Sequence, residues 1–374
     1  MRFFIIDTYY PAFLESFYRV NPEARSLSYK EQKRLLLAKC FGTADFYSQN
    51  LKKLGHEADE FIINNEILQR RWAQENGLKL SRSLFNILAK IPKFHRFIPR
   101  GWIYEVLEAQ ILSFKPDIVF VQDIAFTQPE FLRRVKPLGR GMVGHISSRL
   151  PSWKHFEPYD LLLSSFPHFI PLFRERGLRA EYIRLAFEPR LLNLIHKKEQ
   201  RYDVVLVGGI VSKYHTESIT ILEAAARRVK IDFWGYGREL LSSDSTILKS
   251  HHGEAWGLDM YNLLYHSKIS INRHGNLAVT GGYANNMRLY EATGMGTMLL
   301  TDWKPNLHEL FEIGQEVETY QTADELAGKI KYYLDPAHDK ERQAVARAGQ
   351  ARTLRDHTYE IRMRELVDII SRYL

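Results

Sequence analysis

Four short runs in the second half of the chain carry residue types that can handle a phosphorylated ligand. The fullest is Gly281-Gly282-Tyr283-Ala284-Asn285-Asn286-Met287-Arg288-Leu289-Tyr290-Glu291. At three residues' separation on a helix, Arg288 and Glu291 share one face, so a guanidinium and a carboxylate stand ready for a pyrophosphate and a ribose diol respectively. The same spacing also suits a plain surface ion pair. The asparagines, Asn286 above all, read as caps of a short helix whose N-terminal N–H groups would favour an anion. A second run, Gly208-Gly209 with Lys213 beyond it, offers backbone that can approach a phosphate and a point charge to meet it. The third, Trp234-Gly235-Tyr236-Gly237, sets an aromatic ring between glycines, as stacking on a nucleobase would need. The fourth, Asn272-Arg273-His274, places polar donors together; His274 alone would read as a structural histidine.

In the first half the candidates are proton-transfer groups. Asp123 directly follows the apolar run Asp117–Gln122, and His145 and Asp7 hold equivalent places after or within other such runs. A carboxylate or imidazole so placed can deprotonate a hydroxyl; it can equally cap the turn that follows. Asp123 ranks first, with His145 and Asp7 behind it.

Ligands of open α/β sheets bind beyond the carboxyl ends of the strands, so these residues matter only if strands precede them. The pattern supplies the strands. Arg2–Asp7, His56–Asn64, Asp117–Gln122, Gly141–Ser147, Asp160–Ser165 and Glu181–Leu185 read as one set. Helical stretches, including a long one over Tyr29–Leu54 and another over Ile103–Ser113, lie between them. Such alternation predicts crossover connections and parallel sheets. A charged stretch, Asn193–Arg201, interrupts it. The pattern then restarts with Asp203–Val207, Lys230–Trp234, Lys268–Asn272 and Thr297–Thr301, among helices over His215–Arg228, Leu258–His266 and Asn286–Gly294. The expected division is residues 1–195, 196–355, and a terminal crossing helix in 356–374.

Bulk properties narrow the class. A chain of 374 residues exceeds what one core commonly serves. Hydrophobic residues at 45% and charged residues at 26% suit a folded, soluble protein. The single cysteine, Cys40, permits no intrachain disulfide and fits a reducing compartment. No targeting or membrane-spanning segment is visible, so a cytoplasmic location is expected. The net charge of +8 asks for an acidic partner. Part of it is concentrated in residues 79–100, where Lys79, Arg82, Lys90, Lys93, Arg96 and Arg100 alternate with apolar residues. That stretch suits a solvated helix face, or a peripheral contact with an anionic membrane surface at the inner face. No nucleic-acid-binding motif accompanies the charge, and nucleic acid is not expected as a partner.

The run Ser267–Asp302 resembles the C-terminal domain of the CgeB-like, spore-maturation-protein group of GT-B glycosyltransferases. There an R-x-x-E pair precedes glycine and a strand ending in Thr-Asp, matched here by Arg288, Glu291, Gly296, Thr301 and Asp302. Trp256–Tyr261, Gln122-Asp123 and Gly144-His145-Ile146 look similar as well. The resemblance implies an α/β GT-B fold: two Rossmann-like, doubly wound domains facing a cleft, with a C-terminal helix crossing back to the first domain. It further implies transfer of a sugar from a nucleoside-diphosphate sugar to a hydroxyl acceptor, a glycan, lipid-linked or small molecule. The donor would lie on Gly208, Gly209, Lys213, Tyr236, Gly237, His274, Asn286, Arg288 and Glu291, with neither metal nor cofactor. Retaining GT-B families carry an E-x7-E motif; Glu291 matches its second glutamate, but Tyr283 occupies the first position, and Gly209 lies where their loop has arginine. A nucleotide-sugar 2-epimerase of the same architecture and a non-catalytic nucleotide-sugar or nucleic-acid binding protein are the alternatives.

Overall fold

The computed structural model describes residues 1–80, 101–195, 200–210, 212–275 and 282–374, with the backbone alone for 212–218. Residues 81–100, most of the basic stretch, lie outside the described residues, as does the side chain of Lys213.

Two wholly parallel sheets are present. The first contains β1 (Arg2–Asp7), β2 (Glu57–Ile62), β3 (Ile118–Val121), β4 (Gly141–His145), β5 (Leu161–Ser164) and β6 (Ala180–Tyr182), in the order β2-β1-β3-β4-β5-β6. The second contains β7 (Tyr202–Val207), β8 (Asp232–Trp234), β9 (Ser267–Asn272), β10 (Met298–Asp302) and β11 (Glu318–Tyr320), in the order β11-β10-β9-β7-β8. Central strands such as β1, β3 and β10 are apolar along their length because helices cover both faces. In each sheet the first strand pairs with its second on one side and its third on the other, so the winding reverses between β1 and β3 and between β7 and β9. Side chains beyond those strand ends meet a crevice that the winding itself creates.

Two expectations need correction, and one strand lies outside them. The stretch Tyr29–Leu54 is two helices, Tyr29–Leu37 and Phe46–Lys53, because Cys40, Gly42 and Ala44 adopt positive φ and turn the chain out of the helix. A Ser28–Glu31 capping box starts the first of these helices. Asn286 does not cap the next helix. That helix runs Arg288–Gly294 with Met287 at its N-cap and no side-chain cap, while the Asn286 amide turns toward Asn272. Finally, β11 was not expected; its three residues carry too little pattern to stand out.

The domains are joined by more than the linker. The last helix, Tyr359–Tyr373, returns to the first domain: Tyr359 packs at 5.2 Å from Phe46 and 5.5 Å from Tyr47 between ring centroids. Leu374 fills the space above Gly141, where a Cβ would come within 2.3 Å of it. Where this returning segment passes the outgoing one, Phe187 N–H donates to His357 O (2.8 Å) and Tyr359 N–H to Phe187 O (3.0 Å). One apolar cluster consequently runs from Phe3 and Phe46 through Phe187 and Tyr359 to Tyr290 and Leu299. No helix among the described residues is long and apolar enough to cross a membrane.

Candidate active site

A cavity of about 460 Å³ lies between the carboxyl ends of the two sheets. Asp7 and Gln122, at the ends of β1 and β3, border it from one domain; Val207, Gly208, Asn272 and Arg273, at the ends of β7 and β9, border it from the other. Both points of reversed winding therefore open into one space.

Its deep wall is the helix Arg288–Gly294. Arg288 Nη1 lies 2.9 Å from Glu291 Oε2, and Glu291 Oε1 accepts from the Tyr261 hydroxyl at 3.3 Å. Both partners are largely buried, at 12% and 7% side-chain exposure, which removes the surface-pair reading. Arg288 Nη2 also donates to Val207 O (3.0 Å), tying this helix to the end of β7. Asn286 Nδ2 donates to Asn272 Oδ1 (2.8 Å), and Asn272 Nδ2 to Thr301 Oγ1 (2.9 Å). Among the described residues, these buried polar atoms find no hydrogen-bond partner: Asn286 Oδ1, Arg273 Nε and Arg288 Nε. Such atoms are costly unless a ligand or water meets them.

The glycine loops serve each other first. Gly208 N–H donates to Trp234 O (2.8 Å) and Ile210 N–H to Tyr236 O (2.7 Å), joining the segments after β7 and β8. A Cβ on Gly235 or Gly237, both at positive φ, would fall 1.8 Å from the Gly208 or Ile210 carbonyl oxygen. One on Gly209 would strike the Tyr236 ring, whereas Gly208 has open space beside it. Of these glycines, 208, 209 and 235 border the cavity and Gly237 does not.

Tyr236 belongs to an aromatic wall that crosses the domain boundary. Its ring stacks on Trp256 (5.8 Å, 14°), and Tyr10 and Phe41 of the first domain meet this pair edge-on. Tyr10, Phe41 and Thr43 escaped the sequence reading; the one signal was Gly42 within what read as a helix. Leu258 N–H donates to Lys39 O (2.8 Å), locking the loop before Phe41 to the second domain.

The three proton-transfer candidates have different surroundings. Asp7 borders the cavity, with its carboxylate accepting from Thr8 N–H (2.7 Å) and Thr43 Oγ1 (3.2 Å). Burial pushes its carboxyl up to about 7; those two hydrogen bonds oppose the rise and the nearby Asp123 adds to it. Asp123 is not among the cavity's lining residues: it accepts from Phe126 N–H (3.1 Å) and Thr8 Oγ1 (2.6 Å), holding the turn after β3 and orienting Thr8. His145 stands apart from the cavity too. Burial lowers its imidazole to about 4, and Nε2 lies 3.1 Å from Ser147 Oγ. Ser147 in turn meets Ser165, which accepts from Asn285 Nδ2 (2.8 Å) across the domain boundary.

His274 is buried behind the lining rather than on it. Its Nδ1 lies 2.7 Å from Asp302 Oδ1, and Lys304 Nζ lies 2.7 Å from Asp302 Oδ2. Burial raises the Asp302 carboxyl, but these two partners outweigh it and hold it well below the usual range.

Residues 217–368 match the family model described as glycosyl transferase-like. Across the whole chain the arrangement resembles sucrose-phosphate synthase of Thermosynechococcus elongatus, at 12% identity and a TM-score of 0.61, covering 100% of this chain and 98% of that one. It is similar to Anabaena HepE, solved with UDP-glucose, at 12% identity and a TM-score of 0.59 over 99% of each chain. It is similar also to a glycosyltransferase of Rickettsia africae, at 10% identity and 0.56 over 98% and 97%. The architecture is GT-B. No curated protein matches the sequence. In GT-B terms the cavity lies in the cleft between the domains, with Arg288 and Glu291 on the C-terminal side and Asp7 opposite.

Proposed function

We propose that the protein is a glycosyltransferase that moves a sugar from a nucleoside-diphosphate sugar to a hydroxyl acceptor. The observation that carries this reading is the cleft cavity in which the buried Arg288–Glu291 pair faces Asp7 across the domain boundary. HepE, of the same fold, is known with UDP-glucose bound. The donor lies on the C-terminal side, where Glu291, already held by Arg288 and Tyr261, accepts from ribose hydroxyls and Tyr236 flanks the base. The acceptor enters from the N-terminal side, and Asp7 takes its hydroxyl proton. Asp7 is preferred to Asp123 and His145 because it alone of the three borders the cavity. Asp123 positions it through Thr8. We place the protein in the CgeB-like group on its Arg288–Asp302 motif, acting in the cytoplasm in polysaccharide assembly, with no bound metal required.

A thermal-shift series with UDP, GDP, CDP, dTDP and CMP tests the donor site. One nucleotide raising the melting temperature of the wild type, and raising it much less in Glu291→Gln, is the expected result. No shift with any of them overturns the reading. Consumption of a sugar nucleotide that leaves an epimerised nucleotide sugar, with no acceptor added, would make the enzyme an epimerase instead.

A further inference from the structure

Among the described residues two arginines border the cleft cavity, and their partners give them different work. Arg288 is committed: Nη1 pairs with Glu291, while Nη2 donates to Val207 O and lies 3.0 Å from Met260 Sδ. Its charge is offset by a buried carboxylate and its direction is fixed by the end of β7. It is a strut between the helix Arg288–Gly294 and β7.

Arg273 has the opposite character. It follows β9 directly and borders the cavity, half-buried. In the β7–β9 register Leu206 lies opposite Ile271, so two residues further on Arg273 comes level with Gly208, beside which there is open space. Among the described residues Arg273 joins no ion pair, and the buried acids Asp302 and Glu291 are taken by His274, Lys304 and Arg288. Its Nε is buried and has no hydrogen-bond partner among the described residues. Its side chain lies near the buried Tyr320 hydroxyl, which itself donates to Asn272 O (2.8 Å).

A half-buried cation without a counter-charge is costly, and the fold here keeps one on the border of the cavity at the ends of two adjacent strands. The group that suits it is planar-fork chemistry for two adjacent phosphates. We propose that Arg273 is the side chain that receives the diphosphate of the donor, in the open space beside Gly208, and that the site thereby requires a diphosphate rather than a bare nucleoside. This rests on the donor-site reading above.

The test is calorimetric titration of UDP, uridine and inorganic pyrophosphate into the wild type and Arg273→Met. Pyrophosphate makes the measurement independent of which base the protein selects. The expected result is at least a tenfold loss of affinity for pyrophosphate, and for UDP if uracil is accepted, with uridine changed less than threefold. Unchanged pyrophosphate affinity in Arg273→Met overturns the inference while leaving the donor site standing. A wild type that binds neither UDP nor pyrophosphate, and shifts with no nucleotide in the thermal series, overturns both. Should Arg273→Met lose its cooperative melt, Arg273→Gln decides on the same criteria, since its amide keeps a polar donor without the charge.

Discussion

Asp7 couples the chemistry of the cleft to the stability of the protein. The fold raises its carboxyl from 3.8 to about 7, so between those values the folded protein holds a proton that the unfolded chain has lost. The stability this contributes is fully present below pH 3.8 and is lost as pH rises toward 7, at about 1.4 kcal/mol per pH unit across that window. Glu60, buried and raised to about 7 despite hydrogen bonds from Ser48, acts in the same direction. Melting followed from pH 4 to 8 should therefore show a smaller decline for Asp7→Asn than for the wild type, with the two curves parallel above about pH 7.5. The same variant should lose roughly 10²–10⁴-fold in kcat, the range of a general base, while its affinity for nucleotide stays near wild type. A wild-type turnover that climbs with pH to a plateau just above 7 would accompany this. Glu291→Gln should do the reverse, weakening nucleotide binding roughly tenfold to a hundredfold through loss of a charge-assisted hydrogen bond. Calorimetry separates the two.

At the scale of elements, the loops after β7 and β8 behave as one unit because their glycines interlock. Gly235→Ala would force both a disfavoured φ and a collision with the Gly208 carbonyl, at a cost of about 3 kcal/mol or more. The expected outcome is a clearly lowered melting temperature together with loss of nucleotide binding, because the Gly208 edge of the cavity moves. A Gly55→Ala control, also at positive φ but with open space around the Cβ, should cost much less and spare binding. Strands of this kind were legible in the sequence because burial on both faces writes them as apolar runs: β1 is RFFIID and was bounded correctly. The pairing of Arg288 with Glu291 was legible from helical spacing. The break at Cys40–Ala44 was not, since it depends on backbone turning under the second domain, where Gly257 sits against the Lys39 carbonyl. Nor did local sequence distinguish Asp7 from Asp123. Both stand at strand ends, and only three-dimensional placement shows that one borders the cavity while the other grips Thr8.

The whole molecule is held together at three places around the cleft. Tyr10 and Phe41 meet Tyr236 and Trp256 on one flank; His168 stacks on Tyr283 (5.3 Å, 10°) and Ser165 meets Asn285 on another; the chain crosses and returns at Phe187 and Tyr359. The first two contacts consist of a few rings, the backbone hydrogen bond from Leu258 to Lys39 and one side-chain amide. They are weak beside the third, where Tyr359, Met363, Leu366 and Ile370 are buried. Removing the Trp256 ring as Trp256→Ala should thus loosen the domains without unfolding either, which small-angle scattering would register as a larger radius of gyration.

The returning helix has one more consequence. Since residues 359–374 are covalently part of the second domain yet seated on the first, the peptide bond between the halves is not what keeps them together. Severed after Ile195 and produced as two polypeptides, residues 1–195 and 196–374 should find each other again and elute as a one-to-one pair. The same pieces lacking residues 357–374 should elute apart. The protein would then be, in effect, a dimer that happens to be synthesised as one chain.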